Sequence, residues 1–188
     1  SNYIGLISNG ASYDDNLNSG CGGGDGCYDG YSYTASAAEF KGWEISSNIR
    51  LVGNGAMPST SDGPTWDLKL RADTVAAKYI DSGTAIARIP PKRLGVNVVR
   101  MSGPWRLSLG FDANAAPTIG DNQKSTSAYT LWNAYLGYKN KIGSSEAIWY
   151  AKLDNLTDKL AYSATSILTT TVKESSDGRP SVPLPGRS

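Results

Sequence analysis

Apolar and polar residues alternate with a period of two along much of this chain. That spacing puts successive side chains on opposite faces of a β-strand. Between Trp105 and Ala115 the odd positions are Trp105, Leu107, Leu109, Phe111, Ala113 and Ala115, and the even ones Arg106, Ser108, Gly110, Asp112 and Asn114. The same rule sets Trp66, Leu68, Leu70 and Ala72 against Asp67, Lys69, Arg71 and Asp73. It sets Trp132, Ala134, Leu136 and Tyr138 against Asn133, Tyr135, Gly137 and Lys139, and Ala147, Trp149, Ala151 and Leu153 against Ile148, Tyr150, Lys152 and Asp154. Leu94, Val96 and Val98 face away from Arg93, Gly95 and Asn97. Trp43, Ile45, Ile49 and Leu51 alternate with Glu44, Ser46, Asn48 and Arg50, but Phe40 has the opposite parity, which predicts a β-bulge at Gly42.

About seven strands follow, with the beginning of another at Pro185-Gly186-Arg187-Ser188. Long connections fall near 9–30, 80–92, 116–127 and 163–183, and short or middling ones near 53–64, 102–104 and 141–146. This strict alternation predicts an up-and-down outer-membrane barrel, with long loops outside the cell and short turns in the periplasm. Strands of roughly 10 residues suit a tilted crossing of a bilayer. Full charges in mid-strand suit a wet lumen better than a sandwich core. Trp66, Trp105, Tyr129, Tyr138 and Tyr162 sit at strand ends, where interfacial aromatic belts belong. The expected fold class is therefore all-β, an antiparallel up-and-down transmembrane β-barrel, with this chain forming a partial wall of about seven to eight strands. Hydrocarbon tolerates no open sheet edge, so such a wall is stable only within a closed barrel. The chain has no apolar run long enough for a transmembrane helix. Ser1-Asn2-Tyr3-Ile4 has no signal-peptide character and reads as the interior of a strand.

Composition supports the strand reading, with 21 Gly, 11 Tyr and 5 Trp. Eighteen basic against 17 acidic residues, a net charge of +1, give no reason to expect nucleic acid as a partner. With no histidine in the chain, the usual catalytic triads and most metal sites are absent, so no catalytic, metal or cofactor residue is assigned and the chain is read as non-enzymatic. Cys21 and Cys27 would need two further ligands to hold zinc, and a local disulfide in an oxidising compartment fits them better. Their glycine-rich loop has no Lys-Ser/Thr after it, which excludes a phosphate-binding loop; it is either a surface loop stapled by the disulfide or a loop that touches ligand at the outer face.

Six stretches carry a further signal. They are Ser1-Asn2-Tyr3-Ile4-Gly5-Leu6; Tyr33-Thr34 with Ala37-Ala38-Glu39-Phe40-Lys41-Gly42-Trp43-Glu44; Ile89-Pro90-Pro91-Lys92-Arg93-Leu94-Gly95; Tyr129 to Tyr138 around Asn133; Leu153-Asp154-Asn155-Leu156-Thr157-Asp158; and Pro183-Leu184-Pro185-Gly186-Arg187-Ser188. In this order and at this spacing they resemble the barrel of the TonB-dependent outer-membrane receptors. The resemblance implies that residues 1–188 are a C-terminal part of the barrel domain, ending before a last strand that closes on an aromatic residue. It implies a barrel of about 22 strands with a plugged lumen, in the bacterial outer membrane. The plug and the segment that meets the TonB complex would lie in N-terminal regions missing from this sequence. Function is then TonB-energised uptake of a scarce small-molecule or metal-chelate cargo: a ferric siderophore, haem, a metal chelate or vitamin B12. The partners implied are outer-membrane lipid, the TonB complex and the cargo. Asp67, Lys69, Arg71 and Asp73 become lumen-facing charges, either facing plug or cargo or forming a solvated, self-neutralising wall. Pro90, Pro91, Asn133, Asp154, Asn155, Leu156, Pro185, Gly186 and Arg187 become architectural motif residues, with Asp154-Asn155-Leu156 fixing a strand end through Asx hydrogen bonds. Two other readings compete: a passive porin, and a soluble secreted β-sandwich that binds carbohydrate.

Overall fold

The computed structural model describes residues 2–13, 27–53, 63–120, 123–166 and 183–187. Period-two patterning yields seven strands: β1 (Asn2–Tyr13), β2 (Tyr28–Val52), β3 (Thr65–Tyr79), β4 (Arg93–Ser102), β5 (Trp105–Asn114), β6 (Tyr129–Ile142) and β7 (Ser145–Leu153). They join in chain order into a single antiparallel sheet. No helix among the described residues is long and apolar enough to cross a membrane. A β-sandwich needs a second sheet over the apolar face, and the described strands form one sheet.

Register keeps parity from strand to strand, so each side-chain row has one character. Leu70, Val96, Phe111 and Trp132 stand opposite one another in one row, and Lys69, Asn97, Gly110 and Asn133 in the next. A slip of one residue would exchange the two faces. The apolar face is uncovered: Ile45, Leu109 and Trp149 are 61%, 52% and 62% exposed. Water does not tolerate an apolar surface of this extent on a soluble monomer. The 10 residues of β5, rising about 3.3 Å each at a tilt of about 40°, span about 25 Å, the height of the apolar band of an outer-membrane barrel.

Aromatic residues gather on this face at the end with the short turns. Trp105 packs on Tyr138 in a tilted pair at 4.6 Å between ring centroids, Tyr138 stands opposite Trp149, and Trp66 lies opposite Arg100. Two expected belt members are elsewhere. Tyr129 pairs with Asn114 on the polar face, because it is one residue out of step with Trp132, and Tyr162 lies beyond β7.

Several sequence expectations are corrected. β2 runs unbroken for 25 residues, and its register with β3 is continuous through Gly42. The bulge lies between Arg50 and Val52 instead, and brings Val52 opposite Trp66 on the apolar face. Gly42 is needed for another reason: a Cβ there would collide with the Thr74 carbonyl oxygen. Phe40 has polar-face parity because that face turns apolar at the long-loop end. There Ala38, Ala77 and Ile86 form a small buried core with Tyr3, Tyr79 and Ile89 packed on it, and the Phe40 ring lies 5.8 Å from that of Tyr3. The chain after β3 folds back to complete this core, with the Ile86 N–H donating to the Ala77 carbonyl at 3.0 Å. Connections are two-residue turns at 103–104 and 143–144, with φ of +54° at Gly103 and +63° at Gly143. The 53–64 connection is about as long as 80–92, so long and short do not strictly alternate. Pro185-Gly186-Arg187 forms no strand; it lies against the segment after β7, where the Leu184 N–H donates to the Ala161 carbonyl at 2.7 Å. Cys27 is disulfide-bonded; Cys21 and most of its glycine-rich loop lie outside the described residues, as does Ser188.

Candidate functional site

On β3 every second side chain from Asp67 to Asp73 lies on the polar face, and three of these four charges meet opposite ones on other strands. Arg50 on β2 ion-pairs with Asp67. The Arg93 Nε on β4 donates to both carboxylate oxygens of Asp73, at 2.9 and 3.0 Å. Arg71 reaches past β4 to Asp112 on β5 at 2.5 Å. Lys69 has no ion pair among the described residues. Asp67 is 5% exposed, so its pairing with Arg50 answers the cost of burying a carboxylate; the more open Arg71 and Arg93 pairs are worth about 0–1 kcal/mol each.

The Arg71–Asp112 bridge explains a glycine. Gly95 stands opposite both residues in the register, so the bridge passes directly over it. A Cβ on Gly95 would come within 2.6 Å of Arg71 Nε and 2.9 Å of Asp112 Oδ1. Gly95→Ala is therefore expected to swing Arg71 away and destabilise the barrel by about 1–2 kcal/mol. In an Arg71→Ala background the same change should cost much less. A double-mutant cycle on denaturant midpoints measures the difference.

From Asp112 a hydrogen-bonded line leads to the end of the sheet. Asn133 Nδ2 donates to Asp112 Oδ2 at 3.3 Å, and Asn133 Oδ1 accepts the Asn155 backbone N–H at 3.1 Å. Asn155 is buried and left-handed, with φ of +52°. Its Oδ1 accepts the Lys159 N–H at 2.9 Å, and its Nδ2 donates to the carbonyls of Lys159 at 3.0 Å and Pro185 at 3.4 Å. The Leu156 N–H donates to the Trp132 carbonyl at 2.8 Å, and the Arg187 N–H to Asp158 Oδ1 at 3.1 Å. Gly186 lies beside that carboxylate, where a Cβ would come within 3.1 Å.

Arg71, Asn133, Asn155, Leu156 and Pro185, far apart in sequence, thus meet in one network. Asp154 stands aside and pairs with Lys152 at 2.6 Å. Pro90 and Pro91 lie in the connection before β4 and are not among the hydrogen-bonded members of this line. Two residues escaped sequence reasoning. Asp112 looked like one more polar-face residue of β5, and only the register shows it bridging Arg71 and Asn133. Gln123 has no motif around it, yet it ties three connections together: its Oε1 accepts from the N–H groups of Arg88 at 3.0 Å and Gly120 at 3.2 Å, and its Nε2 donates to the Ala164 carbonyl at 3.0 Å.

Comparison with known proteins agrees with this geometry. The family described as "TonB dependent receptor-like, beta-barrel" matches residues 1–156. Among solved structures, the copper transporter OprC superposes with a TM-score of 0.64 at 16% identity, over 99% of this chain and 26% of that one. The likeness is one of fold, and this chain spans about a quarter of that transporter's length. No curated protein matches the sequence.

Proposed function

Because this chain belongs to the β-barrel family of the TonB-dependent receptors, proteins of the bacterial outer membrane, we propose that it is a C-terminal section of a receptor barrel that imports a scarce ligand with TonB-derived energy. Residues 1–188 form part of the barrel domain in this reading, with plug and TonB-contacting segments elsewhere in the receptor. The cargo class is a ferric siderophore, haem, another metal chelate or vitamin B12. Asp67, Lys69, Arg71 and Asp73 border the plug and the cargo route.

The observation that carries the reading is the division of a single sheet into an uncovered apolar face and an opposite face of cross-strand ion pairs. Lipid suits the first, and water or a polar plug suits the second. An uptake assay tests the function. Cells carrying the intact receptor are expected to accumulate one labelled member of the cargo panel and to stop when the inner-membrane proton gradient is dissipated. Accumulation that continues without the gradient identifies a passive porin.

A further inference from the structure

We propose that the apolar face carries a phospholipid-binding site at its short-turn end, in which Arg100 holds the lipid phosphate and an adjoining groove holds an acyl chain. The proposal rests on the membrane orientation above, with short turns towards the periplasm. Arg100 departs from the pattern of its strand. Parity places it with Leu94, Val96 and Val98 on the apolar face, opposite Trp66 on β3 and Leu107 on β5. On the polar face Arg50, Arg71 and Arg93 each meet a carboxylate, and Arg106, which meets none among the described residues, lines an open polar depression. Arg100 has no carboxylate partner among the described residues; its guanidinium lies 5.7 Å from the centroid of the Trp66 ring. That contact orients the cation without neutralising it.

Depth and shape narrow the counter-ion. Arg100 is two residues from the end of β4, one side-chain row further in than the Trp105–Tyr138 pair, a depth from which a long side chain reaches the headgroup region. From it a groove of about 830 Å³ extends over the apolar face, lined by small Ala134 and Ala151 and by bulky Phe111, Trp132 and Leu136. That volume lies within the roughly 300–1,000 Å³ of ligand sites. An apolar groove with one such cation at its interfacial end complements an amphiphile with an anionic head. In the leaflet at this end, that is a glycerophospholipid. A free phosphate has no chain for the groove, and an uncharged lipid offers the guanidinium ester and hydroxyl oxygens but no charge.

The full receptor in detergent, first shown to be a folded barrel by its heat-sensitive gel mobility, is titrated with phosphatidylglycerol and with diacylglycerol of the same chains. Native mass spectrometry counts the lipid retained. Wild-type receptor is expected to retain the phospholipid preferentially, Arg100→Gln to weaken that retention about fivefold, and Arg100→Lys to keep most of it. Unchanged retention in Arg100→Gln overturns the proposal. So does a wild-type receptor that holds diacylglycerol as firmly as phospholipid, a result that needs no variant to fold. Loss of heat-sensitive mobility in the wild type would instead strike at the barrel reading beneath it.

Discussion

Leu109→Arg is expected to destabilise the folded barrel by about 2–4 kcal/mol, and Ser108→Arg, its immediate neighbour, by a small fraction of that. Leu109 is in the middle of β5 on the apolar face, opposite Val98 and Ala134. A guanidinium there has no polar partner within the band and is too far from either interface to reach water. Ser108 is on the other face, beside a depression of about 360 Å³ lined by Lys69, Asn97, Asp112 and Asn133. An arginine there has room and water; Asp112 is already bridged to Arg71, and repulsion from Lys69, Arg71 and Arg106 is screened on this solvated face. Equilibrium folding into phospholipid vesicles, followed by tryptophan fluorescence across a urea series, reads both changes. The opposite ranking would mean that the charged face meets the lipid, and the membrane assignment would fail. The two sites differ by one position in sequence, so helix propensity, chain length and general crowding cannot imitate the contrast.

That contrast is legible in the amino-acid sequence because strand parity is a local property. The alternation from Trp105 to Ala115 alone names both faces of β5, and the same rule orders β3, β4, β6 and β7. Features that depend on what lies across the sheet were not legible. Phe40 suggested a bulge at Gly42 because nothing in β2 announces that its polar face meets Tyr3 and the returning 80–92 segment. Arg100 fell outside the alternation read for β4, which ended at Val98, and its importance emerges only from standing opposite Trp66. In the candidate site, Asp67 to Asp73 were visible as a row of charges. Their partners Arg50, Arg93 and Asp112 come from three other strands and are set by register alone. The motif residues Asn133, Asn155 and Pro185 were visible singly; hydrogen bonds spanning 22 and 30 residues join them, and no local pattern encodes those.

Asn155 is where that long-range network is most vulnerable. Asn155→Ala is expected to destabilise the barrel by on the order of 3–5 kcal/mol, through two separable losses. The first is chemical. The Lys159 N–H and the carbonyls of Lys159 and Pro185 lose their side-chain partner at a position that is 3% exposed. The second is conformational: φ at residue 155 is +52°, a region that asparagine enters more easily than alanine. Asn155→Gly removes the hydrogen bonds but relieves the backbone, so it should recover about 1 kcal/mol of the loss. Asn155→Asp keeps an acceptor for the Lys159 N–H while setting a carboxylate against two carbonyls, so it should not restore stability. Release of the segment should also be visible directly, as faster tryptic cleavage after Lys159 in the alanine variant than in the wild type. Alanine and glycine variants of equal stability would remove the backbone contribution, and wild-type stability in both would mean that the Asn133–Asn155–Pro185 line does not hold the end of the sheet.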